Sequence, residues 1–496
     1  MINVESASSQ SLLDRAAHGH RSTLLSQGLR LFCKLASVLV LARLVSPNDH
    51  GLFAMASSVV LLLALFRDAG LGIAAVQAPA LDATQRNALF WAQLALGGIL
   101  ALTTLGLAPA TARFYAAPEV APLLALMSIS FLLIGAGGFA RSQLAREARF
   151  TDVNRVENAA AVLGTIAMII AAVAGAAAYS FAVFLLVSEA VATTVAWRTL
   201  AWRPHSRPSW GSLRGLLRTG ADVTAYQCLG YILQQLDTVI VGRWFGAHSV
   251  GLYNRSNQLL ALPGLYVVTP LSQVTLVTLS RLGADSSHFD QHAQKTATVI
   301  AHLILPLFAV CIILPAETVR LILGAHWPDA APLLRLLAIA AAAAAITSLG
   351  YAVNVAMGRT RLLVSSAAFA LPFTALAIWI GARHGALGVA AGIAIVNVAL
   401  APPRLWWALH ELPGGLAGYF RALVGPFIAM GATLLGLCAG SEFASEHSWF
   451  VRLLTSVASG AVALTLVAAL SPQLRREWRW VFEYLPKPAW LEKGDS

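Results

Sequence analysis

The chain has 496 residues and a formal net charge of +11, with 58% hydrophobic and only 11% charged residues and a mean hydropathy of +0.70. Soluble domains carry about 25% charged residues, so composition excludes a large water-filled domain. It also argues against nucleic acid as a partner, because basic residues beside membrane spans mark cytoplasmic loops.

The hydrophobic runs are long and continuous, unlike the short alternating segments of a transmembrane β-barrel. They predict an all-α polytopic membrane protein with about 14 transmembrane helices. Runs of spanning length fall at 22–43, 51–66, 88–110, 119–139, 157–177, 180–200, 219–242, 251–276, 297–323, 331–356, 361–382, 385–408, 421–440 and 451–470. The first twenty residues are polar, so no cleavable signal is expected and the first span starts insertion.

The first span carries Gln27, Arg30 and Lys34 at steps of three and four, which places them on one helix face. A base near the bilayer centre costs about 2.5–3.5 kcal/mol even on the lenient insertion scale. Two bases on one face therefore look into a water-filled cavity or pair with acids. For Arg30, snorkelling toward the cytoplasmic headgroups competes with that reading. After the second span, Asp68-Ala69-Gly70-Leu71-Gly72 suggests an irregular or re-entrant turn.

Arg141, Arg146, Arg149 and Arg155 crowd one link, and Arg198, Arg203, Arg207, Arg214 and Arg218 crowd the next even-numbered one. Odd-numbered links hold isolated bases such as Arg113, Arg335 and Arg383. By the positive-inside rule, the even-numbered links and both termini are cytoplasmic. In the basic link after the sixth span, Trp202 and Trp210 are expected at the membrane interface, and its bases are expected near anionic lipid headgroups.

The seventh span has a polar stripe of Gln227, Gln234 and Asp237, with Gln235 beside it. Asp237 is the only acid deep in this segment. Pairing with a base and proton or cation coupling are both open to it. The eighth span opens with Asn254, Arg255, Asn257 and Gln258, where Arg255 either snorkels outward or lines a cavity. Gln93, Glu189, Asn354 and Asn397 are single polar groups suited to helix–helix hydrogen bonds. Pro263, Pro270, Pro306, Pro315, Pro372 and Pro426 are candidate kinks. The segment from Arg475 to Tyr484 is expected along the membrane surface.

Much of the stretch 27–53 is written twice. Gln27, Lys34, Arg43 and Gly51-Leu52-Phe53 recur as Gln227, Gln234, Arg243 and Gly251-Leu252-Tyr253, every position displaced by 200. A duplicated membrane half is a transporter design. No phosphate-cradling GxxxxGK[ST], HExxH or GxSxG is present, the cysteines form no CxxC pair and the histidines are scattered. No metal, cofactor or covalent chemistry is expected.

The string Leu41-Ala42-Arg43-Leu44-Val45-Ser46-Pro47-Asn48-Asp49-His50-Gly51-Leu52-Phe53 resembles the opening of polysaccharide-exporter flippases of the multidrug/oligosaccharidyl-lipid/polysaccharide exporter superfamily. Phe66-Arg67-Asp68-Ala69-Gly70-Leu71, Asp237 to Arg243, Gly251-Leu252-Tyr253-Asn254-Arg255 and Gly385 to Ala390 are similar to later signatures of that family. The resemblance implies two six-helix lobes related by pseudo-twofold symmetry around a central cavity, plus two extra helices. On that reading, 1–200 is the N-terminal lobe, 201–218 a basic cytoplasmic linker and 219–410 the C-terminal lobe, followed by two further helices in 411–470 and a cytoplasmic tail in 471–496.

The resemblance further implies outward transfer of undecaprenyl-diphosphate-linked oligosaccharide across the bacterial inner membrane, with membrane lipids, a polysaccharide polymerase and export machinery as partners. Arg30, Lys34 and Arg255 are the bases onto which a diphosphate-binding role is carried, with Gln27, Gln234, Asp237 and Asn257 as further cavity residues. Coupling to a proton or sodium gradient is left open. Two rivals stand beside this reading: a cation-coupled small-molecule antiporter on the same fold, and a membrane-bound glycan ligase or polymerase.

Overall fold

The computed structural model describes residues 25–66, 82–204, 214–282, 287–412 and 414–484. The side chain of Gln227, with Cys228, Trp210 and the glycine-bearing segment 68–72, lies outside the described residues. Among the described residues there is no strand; every regular element is helical.

The elements of the first half are α1 (Leu25–Leu44), α2 (Pro47–Ala64), α3 (Ala83–Tyr115), α4 (Val120–Arg146), α5 (Phe150–Val173) and α6 (Tyr179–Thr199). A continuous helical stretch, Arg214–Pro263, follows and is broken at Gly246, whose φ of 78° and ψ of −179° only glycine adopts readily. The break separates α7 (214–245) from α8 (247–282), which passes through a π-helical turn, Gly264–Val268, just after Pro263. Then come α9 (Ser287–Ile313), α10 (Pro315–Ile322), α11 (Ala330–Thr347), α12 (Leu349–Ala356), α13 (Thr360–Gly381), α14 (Gly385–Leu409), α15 (Gly415–Phe443), α16 (Trp449–Leu470) and α17 (Pro472–Tyr484).

Among the described residues, eleven stretches are long and apolar enough to cross a membrane, and two of these, Gln234–Leu282 and Arg361–Leu409, each hold a pair of helices broken at a glycine. With α2, whose 18 residues reach about 27 Å at 1.5 Å per residue, the described residues carry the fourteen expected spans. The chain is an all-α polytopic membrane protein.

Local chemistry sets the boundaries. The Ser46 hydroxyl accepts the Asp49 N–H at 3.2 Å and Pro47 occupies the first turn, so the polar string after α1 ends one helix and starts the next. Asp82 and Gln85 close a capping box at the start of α3. Pro315 does not kink a span; it begins the short α10 after Leu314 leaves helical geometry, where a missing N–H costs nothing.

The chain divides into two compact units, 1–251 and 252–496. In the first, Leu89, Phe139, Ala140, Leu144 and Ala196 are essentially inaccessible. Trp202, expected at the membrane interface, is half-buried, packs its ring on Phe139 at 4.6 Å and lies near Phe90 and Trp197. The two copies of the repeated string also meet here. A Cβ on Gly51 would strike the backbone carbonyl of Ala247, and one on Gly251 would strike that of Pro47. The equivalent segments of α2 and α8 thus touch crosswise, position 51 against 247 and position 251 against 47, backbone to backbone.

The second unit is built on α9, whose Ala301, Ile304, Leu305 and Phe308 are buried. Helices α15 and α16 approach closely where Gly436 lies against Gly460 and Ser459. Helix α17 docks on this unit through Leu474, Glu477 and Val481 and leaves Arg475, Arg476 and Arg479 exposed.

Candidate functional site

Three polar groups emerge along one side of α1. Gln27 and Lys34 are exposed, and Arg30 between them is half-buried. Arg30 forms an ion pair with Glu157 of α5, and one residue further along α5 Asn158 donates to the Ser26 hydroxyl at 2.9 Å. The end of the α1–α5 seam near Ser26 is therefore polar, and a cavity of about 520 Å³ opens beside it, lined by Ser26, Thr151, Asn154, Arg155 and Asn158 among others. Lys34 has no acidic partner among the described residues. Arg30 takes the acid pairing, and Lys34 stands exposed. Glu157 was legible as a neighbour only once the fold brought α5 against α1.

On α7, Gln234 is exposed and Asp237 is half-buried, its Oδ1 accepting the Thr238 N–H at 2.6 Å. One turn away lies a second cavity of about 440 Å³, whose wall includes Ser58, Leu62, Thr111, Tyr115, Tyr231 and Gln235. Three hydroxyls tie this wall together. Ser58 Oγ lies 3.0 Å from Tyr115 Oη, and the Tyr231 hydroxyl donates to the Ser58 carbonyl at 2.7 Å. Sequence reading passed over all three, because a single Tyr or Ser inside an apolar run carries no periodic signal. The cavity lining holds no charged residue.

Arg255 lies on α8 in the second unit and is 6% exposed. Its Nη1 donates to Gln258 Oε1 at 2.9 Å, and the Gln258 amide donates to Asn254 Oδ1 at 2.9 Å. Arg255 is thus buried against the unit while its hydrogen-bond partner Gln258 is exposed. Asn257 is exposed. The seven candidates thus fall in two sets: Gln27, Arg30, Lys34, Gln234 and Asp237 in the first unit, Arg255 and Asn257 in the second.

The remaining in-span polar groups have structural partners. Glu189 of α6 accepts from Arg141 of α4 at 3.0 Å, while Asn354 and Asn397 donate to carbonyls one turn earlier. Among the described residues no cluster of three His, Cys, Asp or Glu is placed to hold a metal ion.

Comparison with known proteins adds three kinds of likeness. The chain is 24% identical over 417 residues to the teichuronic acid biosynthesis protein TuaB of Bacillus subtilis, covering 82% of this chain and 86% of that one. It is 22% identical over 391 residues to the lipopolysaccharide biosynthesis protein WzxC of Escherichia coli, covering 78% and 80%. Among solved structures, the lipid II flippase MurJ in an inward closed conformation superposes with a TM-score of 0.71 at 14% identity, over 91% of this chain and 99% of that chain. An inward-facing multidrug resistance MATE family transporter gives 0.61 at 19% identity, over 76% and 93%. At such identities the structures establish a common fold. A family model described as polysaccharide biosynthesis protein matches residues 40–332, more than half of the chain, and the chain belongs to that family.

Proposed function

We propose that the protein is a flippase that carries undecaprenyl-diphosphate-linked oligosaccharide repeat units outward across the bacterial inner membrane, by alternating access, for surface polysaccharide assembly. Family membership and relatives named for teichuronic acid and lipopolysaccharide biosynthesis support a role in polysaccharide production. The observation that carries the transport reading is Lys34. It stands exposed on a membrane-length helix, beside Gln27 and one turn from Arg30, with no acidic partner among the described residues.

A diphosphate cannot cross about 30 Å of hydrocarbon unshielded. A compact ammonium facing the path offers the countercharge. Arg30, held by Glu157, becomes a second contact when that pair opens. Gln27, Gln234 and Asn257 supply hydrogen bonds to sugar or phosphate, with Arg255 and Asp237 as supporting charges.

The reading assigns no covalent step and no bound cofactor. A proton or sodium gradient is the drive, and both termini are cytoplasmic. A polymerase and export machinery take the product on the outer side.

The test follows lipid-linked repeat units in cells producing Lys34→Ala, Lys34→Arg or Arg30→Ala/Lys34→Ala at normal protein levels. Lys34→Ala is expected to trap repeat units on the cytoplasmic side and cut surface polysaccharide roughly tenfold, as loss of one charge-assisted contact would. Lys34→Arg should keep most of the export. Unchanged export in the double variant overturns the assignment.

A further inference from the structure

A carboxylate from beyond the last span is buried in the second unit. Glu477 of α17 lies with only 6% of its side chain accessible, and Oε2 is 3.5 Å from Nε2 of His302, whose ring on α9 is fully enclosed. Gly425 of α15 makes the space, since a Cβ at that position would run into the Glu477 carboxylate. Trp478 stands edge-on to the imidazole, with ring centroids 5.4 Å apart and planes at 74°. The Gln473 amide donates to the other carboxylate oxygen, Oε1, at 2.8 Å.

The imidazole's tautomer follows from its surroundings. Nδ1 lies 3.0 Å from the carbonyl of Thr298. A carbonyl only accepts, so Nδ1 carries the hydrogen, and in a neutral ring Nε2 presents a lone pair. That lone pair faces Glu477 Oε2. If the carboxylate is also ionised, two acceptors confront each other in a buried site, and neither atom has another hydrogen-bond partner among the described residues. One proton resolves the conflict, whether it rides on the carboxyl or on the ring.

We propose that His302 and Glu477 form a one-proton site that clasps α17 to the second unit, so that losing this proton releases the helix from its seat.

The other charges around the site do not fill the proton's role. Arg476 acts on the carboxylate only through space and is itself exposed. Lys295, on α9, sits over the ring of Trp480 at 5.5 Å. The one charged residue of α16, Arg452, is at its far end and pairs with Glu317, and Arg421 of α15 is exposed. Burial also raises the Glu477 carboxyl above its usual range, which favours the protonated form. By linkage, a carboxyl whose folded-state affinity for protons is raised contributes full docking stability at low pH. That contribution is lost as pH rises through the folded value. The helix is therefore seated in acid and loosened in base.

The experiment measures amide hydrogen exchange of residues 474–481 in the full-length protein in lipid nanodiscs, from about pH 6 to about pH 10, as protection factors corrected for intrinsic rates. In the unaltered protein, protection is expected to fall at least about tenfold across that range, while α15 and α16 stay protected. Glu477→Gln places a permanent N–H donor opposite Nε2, and His302→Gln places one opposite the carboxylate. Each removes the need for a shared proton, so each should hold α17 protected at every pH. Flat protection in the unaltered protein overturns the proposal, as does an undiminished pH dependence in both amide variants. The readout is independent of transport, so its failure leaves the flippase reading untouched.

Discussion

Arg30 and Lys34 stand one turn apart on α1 and end in different electrostatic states. Arg30 reaches Glu157 of α5, whereas Lys34 keeps no acid among the described residues. The difference lies in what α5 offers: Glu157 meets Arg30, whereas α5 beyond Asn158 holds no acid and packs on α1 through Met168 and Ala172. An ion pair whose members keep 29% and 48% of their side-chain surface is partly screened, so it ties α1 to α5 only modestly. A double-mutant cycle of Arg30→Ala, Glu157→Ala and the pair is expected to give a coupling of about 1 kcal/mol in thermal unfolding of the purified protein. Glu157→Ala alone should be the most harmful single change, since it leaves a guanidinium in the spanning segment without its counterion. Additive effects would show that the pair contributes nothing. Arg255 makes the same point from the other side: its position near the end of a span left two readings open, and its burial at 6% exposure, with Nη1 bonded to Gln258, is a property of the fold and not of the sequence pattern.

The crossing of α2 and α8 is where the repeated string acquires a physical meaning. An offset of 200 residues says that two segments are equivalent and says nothing about contact. In the structure, Gly51 and Gly251 are where the backbones touch, each against a carbonyl four residues before its counterpart. A carbonyl of a helix cannot swing aside as a side-chain tip can, so a methyl there must push the helices apart. Gly51→Ala and Gly251→Ala are each expected to destabilise this arrangement by about 1–3 kcal/mol, the range for overpacking, read as a lowered midpoint of thermal unfolding. In the flippase reading a loosened crossing should also slow export in both variants. Wild-type stability in either variant would show that the crossing is loose.

Helix existence was legible because spanning length and apolar continuity are local properties. The Ser46-Pro47-Asn48-Asp49 restart was legible for the same reason. The role of Pro315 was not, because proline reads alike inside a span and at its first turn. The docking of α17 was not legible either. Its Arg475, Arg476 and Arg479 face fits a headgroup surface, while the residues that seat it, His302 and Gly425, lie far earlier in the chain. The Ser58–Tyr115–Tyr231 wall was hidden likewise, since Ser58 and Tyr231 lie 173 positions apart.

At the scale of the whole molecule, the uneven distribution of bases predicts an orientation in the membrane. The link between α4 and α5 carries Arg146 and Arg149, and Arg155 follows within the first two turns of α5, with Asp152 bonded to both Arg149 and Arg155. The acids in this link pair locally, and acids count for little in the positive-inside rule, so the basic count sets the side. The link between α3 and α4 spans only a few residues and offers the exposed Glu119. If the bases are held in the cytoplasm, these two links lie on opposite faces of the membrane.

Single cysteines at Glu119 and Ala148, both exposed, test this once the four native cysteines are replaced by alanine. In intact spheroplasts a membrane-impermeant maleimide is expected to label Glu119→Cys and to spare Ala148→Cys until the membrane is permeabilised. The reverse pattern would put the basic links outside. On the proposed flippase reading, it would also point Lys34 and the α1–α5 seam toward the wrong membrane face for receiving a lipid diphosphate from the cytoplasm. Orientation and direction of transport therefore stand on the same charge asymmetry.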